Sequence, residues 1–66
     1  MEKFIIKKDL INEAYALELK LNELNDFLIC EKSNQIDPAY KSLLTMQSGA
    51  MGIYLECLKN RINLLN

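Results

Sequence analysis

Residues 37–65 read DPAYKSLLTMQSGAMGIYLECLKNRINLL, and the fold follows from how this stretch divides into faces. Asp37 carries a side-chain oxygen that can accept from free backbone N–H groups, and Pro38 has the fixed φ and missing N–H that suit a first helical position. A helix is therefore predicted from Pro38 to about Leu65. Fourteen consecutive residues, Ser42–Leu55, carry no charge, and the apolar ones are not confined to one side. One set, Leu44, Ser48, Met51, Leu55, Leu58, Ile62 and Leu65, recurs in steps of four and three, the spacing of a single helix face. A second set, Leu43, Met46, Ala50, Ile53, Cys57 and Leu64, lies off that face. A helix with apolar residues on two sides needs two partners.

The first partner lies upstream. From Ile6, apolar residues recur at Leu10, Ala14, Leu17, Leu21, Leu24 and Leu28, again mainly in steps of four and three, while Lys8, Asp9, Glu13, Glu18, Lys20, Glu23 and Asp26 fall between them. This predicts a first helix over about 3–31, most of whose remaining surface is solvated. Between the helices, KSNQID at 32–37 has turn composition and no periodicity, and so short a connection favours antiparallel neighbours. The predicted fold is all-α, a single helical-hairpin domain over 1–66. Its seam pairs Leu24 with Leu44, Leu21 with Ser48, Leu17 with Met51, Ala14 with Leu55, Leu10 with Leu58 and Ile6 with Ile62.

The second partner is expected to be another copy of the chain. Sixty-six residues bury only about 60% of the surface of the unfolded chain, and small folds usually draw on disulfides, a metal or association for the rest. Two cysteines and no histidine offer neither a disulfide framework nor metal-ligand spacing. Cys30 and Cys57 would lie roughly 25 Å apart along the hairpin at 1.5 Å per residue, too far to bond to each other. Cys57 is expected to be buried as a small hydrophobe. A homo-oligomeric bundle is predicted, with helix 2 at its centre, helix 1 toward the outside, and Leu43, Met46, Gly49, Ala50, Ile53, Cys57 and Leu64 at the interface.

A formal net charge of −1 and a pI near 5.3 lack the basic excess of generic nucleic-acid binders. The uncharged run is shorter than the ~20 residues that cross a bilayer. Free cysteines and no secretory signal point to a reducing cytoplasm. Catalysis has little to stand on: there is no histidine, no phosphate loop and no nucleophile elbow. Asp9 with Glu13, and Glu23 with Asp26, lie close enough to resemble an acid–base pair, but a solvated helix face explains them better. No enzyme and no cofactor is expected.

Binding is better served. Tyr40, Gln47, Tyr54 and Arg61 recur every seven residues, which on a helix returns to nearly the same side with a drift of about 20° per step. Tyr offers a stacking surface, Gln two donors and an acceptor, and Arg a planar fork for phosphate or carboxylate. With Lys41 and Ser48 nearby, the set suits a nucleotide-like ligand. On sequence alone a structural role explains the row better, with interface tyrosines, a register-fixing Gln47, and Arg61 favoured by the helix dipole. Gly49 and Gly52 each cost about 1 kcal/mol relative to alanine inside a helix, so a close approach, by another helix or a ligand, is expected there.

On Leu24, Asn25, Phe27 and Leu28 in helix 1, and on Leu43, Leu44, Gln47, Ala50, Met51, Tyr54, Leu58, Arg61 and Ile62 in helix 2, the chain resembles a family of small uncharacterised proteins of tailed phages and prophages, crAss-like phages among them. Gly49, Gly52 and the uncharged centre depart from that family's more charged helices. The resemblance implies a non-enzymatic binder in a host bacterial cell. One such class sequesters nucleotide-derived immune signals between subunits. The alternative is a protein-binding module, an inhibitor or adaptor docking through the second apolar face of helix 2.

Overall fold

The computed structural model describes residues 2–66. Helix α1 spans Glu2–Ile29, a 3-10 turn spans Glu31–Gln35, and helix α2 spans Pro38–Leu64. The two helices pack against each other as an antiparallel hairpin, a rod of 50 × 15 × 13 Å, and no strand occurs among the described residues.

The ends of the helices are set by identifiable bonds. α1 stops at Ile29, about two residues earlier than the periodicity suggests, because Cys30 turns extended (φ −80, ψ 145). That leaves carbonyls at the end of α1 without helical donors. Ser33, only 1% exposed, supplies one: its hydroxyl lies 2.8 Å from the Cys30 carbonyl and 3.1 Å from that of Leu28. Four residues after Ser33, the Asp37 carboxylate accepts from the Ala39 N–H at 3.1 Å, and Pro38 opens α2 as its cap signal predicts. Ser33→Ala is expected to destabilise the hairpin by about 1–3 kcal/mol, read as a lower urea midpoint with unchanged slope.

Leu10, Ala14, Leu55 and Leu58 form the buried core, and Leu17, Leu21, Ile62 and Leu65 pack against it. The expected layers Ala14–Leu55 and Leu10–Leu58 are thus its centre. Two expectations need correction. Ile6, assigned opposite Ile62, is 49% exposed, because it stands near the open end where Leu65 and not a further turn closes the seam. Away from the seam α1 is solvated as expected, but that solvated surface includes Phe4, Ile5, Ile11, Tyr15, Leu19 and Ile29, of which Phe4, Ile11, Tyr15 and Leu19 share one side of the helix in steps of seven and four. Ser48, assigned opposite Leu21, instead donates to Asn25 Oδ1 at 2.5 Å, giving the seam a polar clasp on one side.

The glycines lie where the hairpin itself offers no helix against them. A Cβ at Gly49 or Gly52 would meet nothing within 4 Å, so α1 makes no close approach to either. They project to the side of the hairpin and not into the seam. Gly52→Ala is expected to stabilise the hairpin by about 1 kcal/mol through helix propensity alone, a rise of roughly 4–8 °C in Tm for a domain of this size.

Candidate functional site

α2 displays Tyr40, Gln47, Tyr54 and Arg61 in a row, all exposed, with Tyr40 57% and Tyr54 45% accessible. At 1.5 Å of rise per residue, neighbours in the row stand about 10 Å apart and its two ends about 30 Å apart. One chain therefore cannot bring more than two of them to one small ligand. Gln47 is engaged only weakly, its amide nitrogen 3.7 Å from the Met51 sulfur.

Ser48 and Lys41 stand apart from this row. One residue along a helix turns the side chain by about 100°, and Ser48 is accordingly directed to Asn25 across the opposite margin of the seam. Lys41 is half-buried at the turn end, where its ammonium donates to Asn34 Oδ1 at 2.7 Å. With Pro38, Ser42, Thr45 and Met46 it lines a shallow groove of about 460 Å³. Arg61 occupies the other end of the rod. There it borders a groove of about 250 Å³ floored by Ile6, Leu10, Leu64 and Leu65, which places a guanidinium beside an apolar surface.

The open end holds more that periodicity did not single out. Lys3, Phe4, Lys7, Leu65 and Asn66 line a groove of about 510 Å³, and Phe4, Lys7, Lys8 and Ile11 line one of about 320 Å³. Lys7 is tied across the hairpin by donating to Asn66 Oδ1. The signal for this end is lysines at i and i+4 flanking Phe4, a pattern masked by a near-neutral net charge.

Along the outer side of α2, Leu43, Met46, Ile53 and Leu64 are 61%, 69%, 70% and 83% exposed, and Gly49, Ala50 and Cys57 are exposed with them. Cys57 is therefore not buried within its own chain, because its stripe faces away from α1. Both cysteines are free thiols. Among the described residues, no cluster of three or more acidic, cysteine or histidine side chains could hold a metal ion. No described helix is long and apolar enough to cross a membrane.

The Sequestin family model matches residues 6–64, nearly the whole hairpin from Ile6 at its open end to Leu64. The chain belongs to the Sequestin family. The Sequestin name is compatible with sequestration of a molecule, and the match covers both helices, the turn, the polar row and the outer apolar stripe. No curated protein and no solved structure matches the chain.

Proposed function

We propose that this protein is a non-enzymatic phage product that binds and sequesters a small nucleotide-derived immune signal of the host cell between subunits of a homo-oligomer. The observation that carries this reading is the row Tyr40, Gln47, Tyr54 and Arg61, exposed beside an uncovered apolar stripe in a member of a family named for sequestration. Tyr40 and Tyr54 offer faces on which a base can stack, Gln47 offers paired donor and acceptor atoms, and Arg61 offers a fork for phosphate. Lys41 adds a second cation only if its ammonium leaves Asn34. Binding without turnover is the expected behaviour.

Calorimetric titration with a panel of cyclic dinucleotides and cyclic ADP-ribose isomers tests this directly. One member should bind and be recovered chemically intact. Arg61→Ala should then weaken it roughly 10- to 100-fold, the loss of one charge-assisted bond worth about 1.5–3 kcal/mol. Absence of binding across the panel, or an unchanged Kd in Arg61→Ala and Tyr54→Ala, overturns the proposal.

A further inference from the structure

We infer that two copies of the chain pair through the outer stripe of α2, antiparallel, about a two-fold axis passing between Met51 and Gly52, so that Tyr40 of one copy stands beside Arg61 of the other and Gln47 beside Tyr54. The stripe is a heptad seam: Leu43, Ala50, Cys57 and Leu64 recur every seven residues, and Met46, Ile53 and Asn60 recur every seven in between. All seven are exposed in the hairpin.

Side-chain size selects the direction and the register. With the axis between Met51 and Gly52, Ala50 meets Ile53 of the second copy and Met46 meets Cys57. Farther out, Leu43 meets Asn60 and Ala39 meets Leu64. Every layer then sets a large apolar residue against a smaller one, the alternation that fills an interhelical space without voids. Sliding by one heptad one way stacks Met46 on Leu64 and leaves Ala50 against Asn60, and sliding the other way stacks Leu43 on Ile53 and leaves Asn60 and Leu64 facing no residue of the partner α2. Parallel pairing stacks Ala50 on Ala50 and Leu64 on Leu64, a cavity beside a bulge.

Area and charge agree with a second copy as the occupant. The exposed parts of Leu43, Met46, Ile53, Leu64, Tyr40 and Tyr54 amount to roughly 770 Å² per chain at ~200 Å² per large side chain, close to the ~800 Å² that each partner gives a standard interface. On one flank Arg61 meets the ring of Tyr40, a cation on an aromatic face. On the other flank Gly49 lies opposite Glu56 and Ser42 opposite Asn63. No like charges oppose.

The same register resolves the 30 Å spread of the polar row. Tyr40 and Gln47 of one copy with Tyr54 and Arg61 of the other make one compact set, repeated by the two-fold. That this set is a ligand site rests on the function proposed above; the pairing does not.

Cross-linking reads the pairing without any ligand. In Cys30→Ser protein, adding Met46→Cys opposite native Cys57 should give a disulfide-linked dimer on mild oxidation. Cys57 alone should not link, because the two Cys57 lie roughly 16 Å apart along the axis, beyond disulfide reach. Tyr40→Cys with Arg61→Cys, on a Cys30→Ser, Cys57→Ser background, should link between chains with a short bis-maleimide. A monomer by light scattering, or Cys57 linking as readily as the Met46→Cys variant, overturns the pairing.

Titration with the panel member that wild type binds then tests the shared site. Tyr40→Ala and Arg61→Ala chains, each defective, should regain part of the binding when mixed and refolded together, since the mixed dimer carries one intact set. No regain, with wild type binding, places the site within a single chain and overturns this assignment. If wild type binds no panel member, the proposed function fails while the cross-links still decide the pairing.

Discussion

Leu58→Ala is expected to leave most chains unfolded at room temperature. Leu58 is 0% exposed and is the centre of a core that, among the described residues, holds four buried apolar side chains. Removing a buried leucine side chain costs about 2–5 kcal/mol, the upper part of that range applying where neighbours cannot collapse into the space. Two helices offer little to collapse, since Leu10 and Leu55 are held by the same seam. In a chain of 66 residues a single core rarely supplies more than about 3–5 kcal/mol of stability, so the loss consumes most or all of it. Circular dichroism through a urea titration should show a midpoint shifted far below wild type. Ile29→Ala, at a residue 85% exposed at the end of α1, should stay within about 0.5 kcal/mol of wild type. Equal effects of the two substitutions would show that the seam is misassigned.

Ile53→Asp is expected to have the second largest effect, on assembly. Ile53 is 70% exposed, so in a lone hairpin an aspartate there would be well hydrated and cost little. Covered by a second copy, it would bury a carboxylate against Ala50 without a partner, and symmetry would do so twice beside the axis. An unpaired buried charge costs several kcal/mol. Light scattering should therefore fall to the mass of one chain at concentrations where wild type is associated. An unchanged mass would mean that Ile53 is not at the interface.

Much of the hairpin is legible because two strong local signals agree. Asp37-Pro38 marks where α2 begins, and the four-and-three steps mark which sides meet, so Leu10, Ala14, Leu55 and Leu58 can be named before any coordinates. What escapes the sequence depends on position in the assembled rod. Ile6 carries the seam periodicity, yet the open end leaves it half uncovered. Ser48 carries it too, but Asn25 offers its hydroxyl a better partner than Leu21 does. Lys41 reads as a free cation, and its spacing gives no sign that its ammonium donates to Asn34 at the turn. For the polar row, spacing shows a shared side but not the separation along the rod, which keeps its four side chains from meeting within one chain.

The turn has a consequence of its own. α2 carries two apolar stripes, and either could have been laid against α1. Each residue added to or removed from the connection changes the phase of α2 about its axis by about 100° relative to α1. Ser33, bonded back to Cys30 and Leu28, and Asp37, capping α2, fix that phase and present the Leu55–Leu58 stripe inward. One residue inserted after Asn34 would rotate the selection, hiding part of the outer stripe and exposing leucines that now form the core. Residues 30–37 thus act as the index mark of the molecule, determining which half of α2 becomes interior and which is left for encounter.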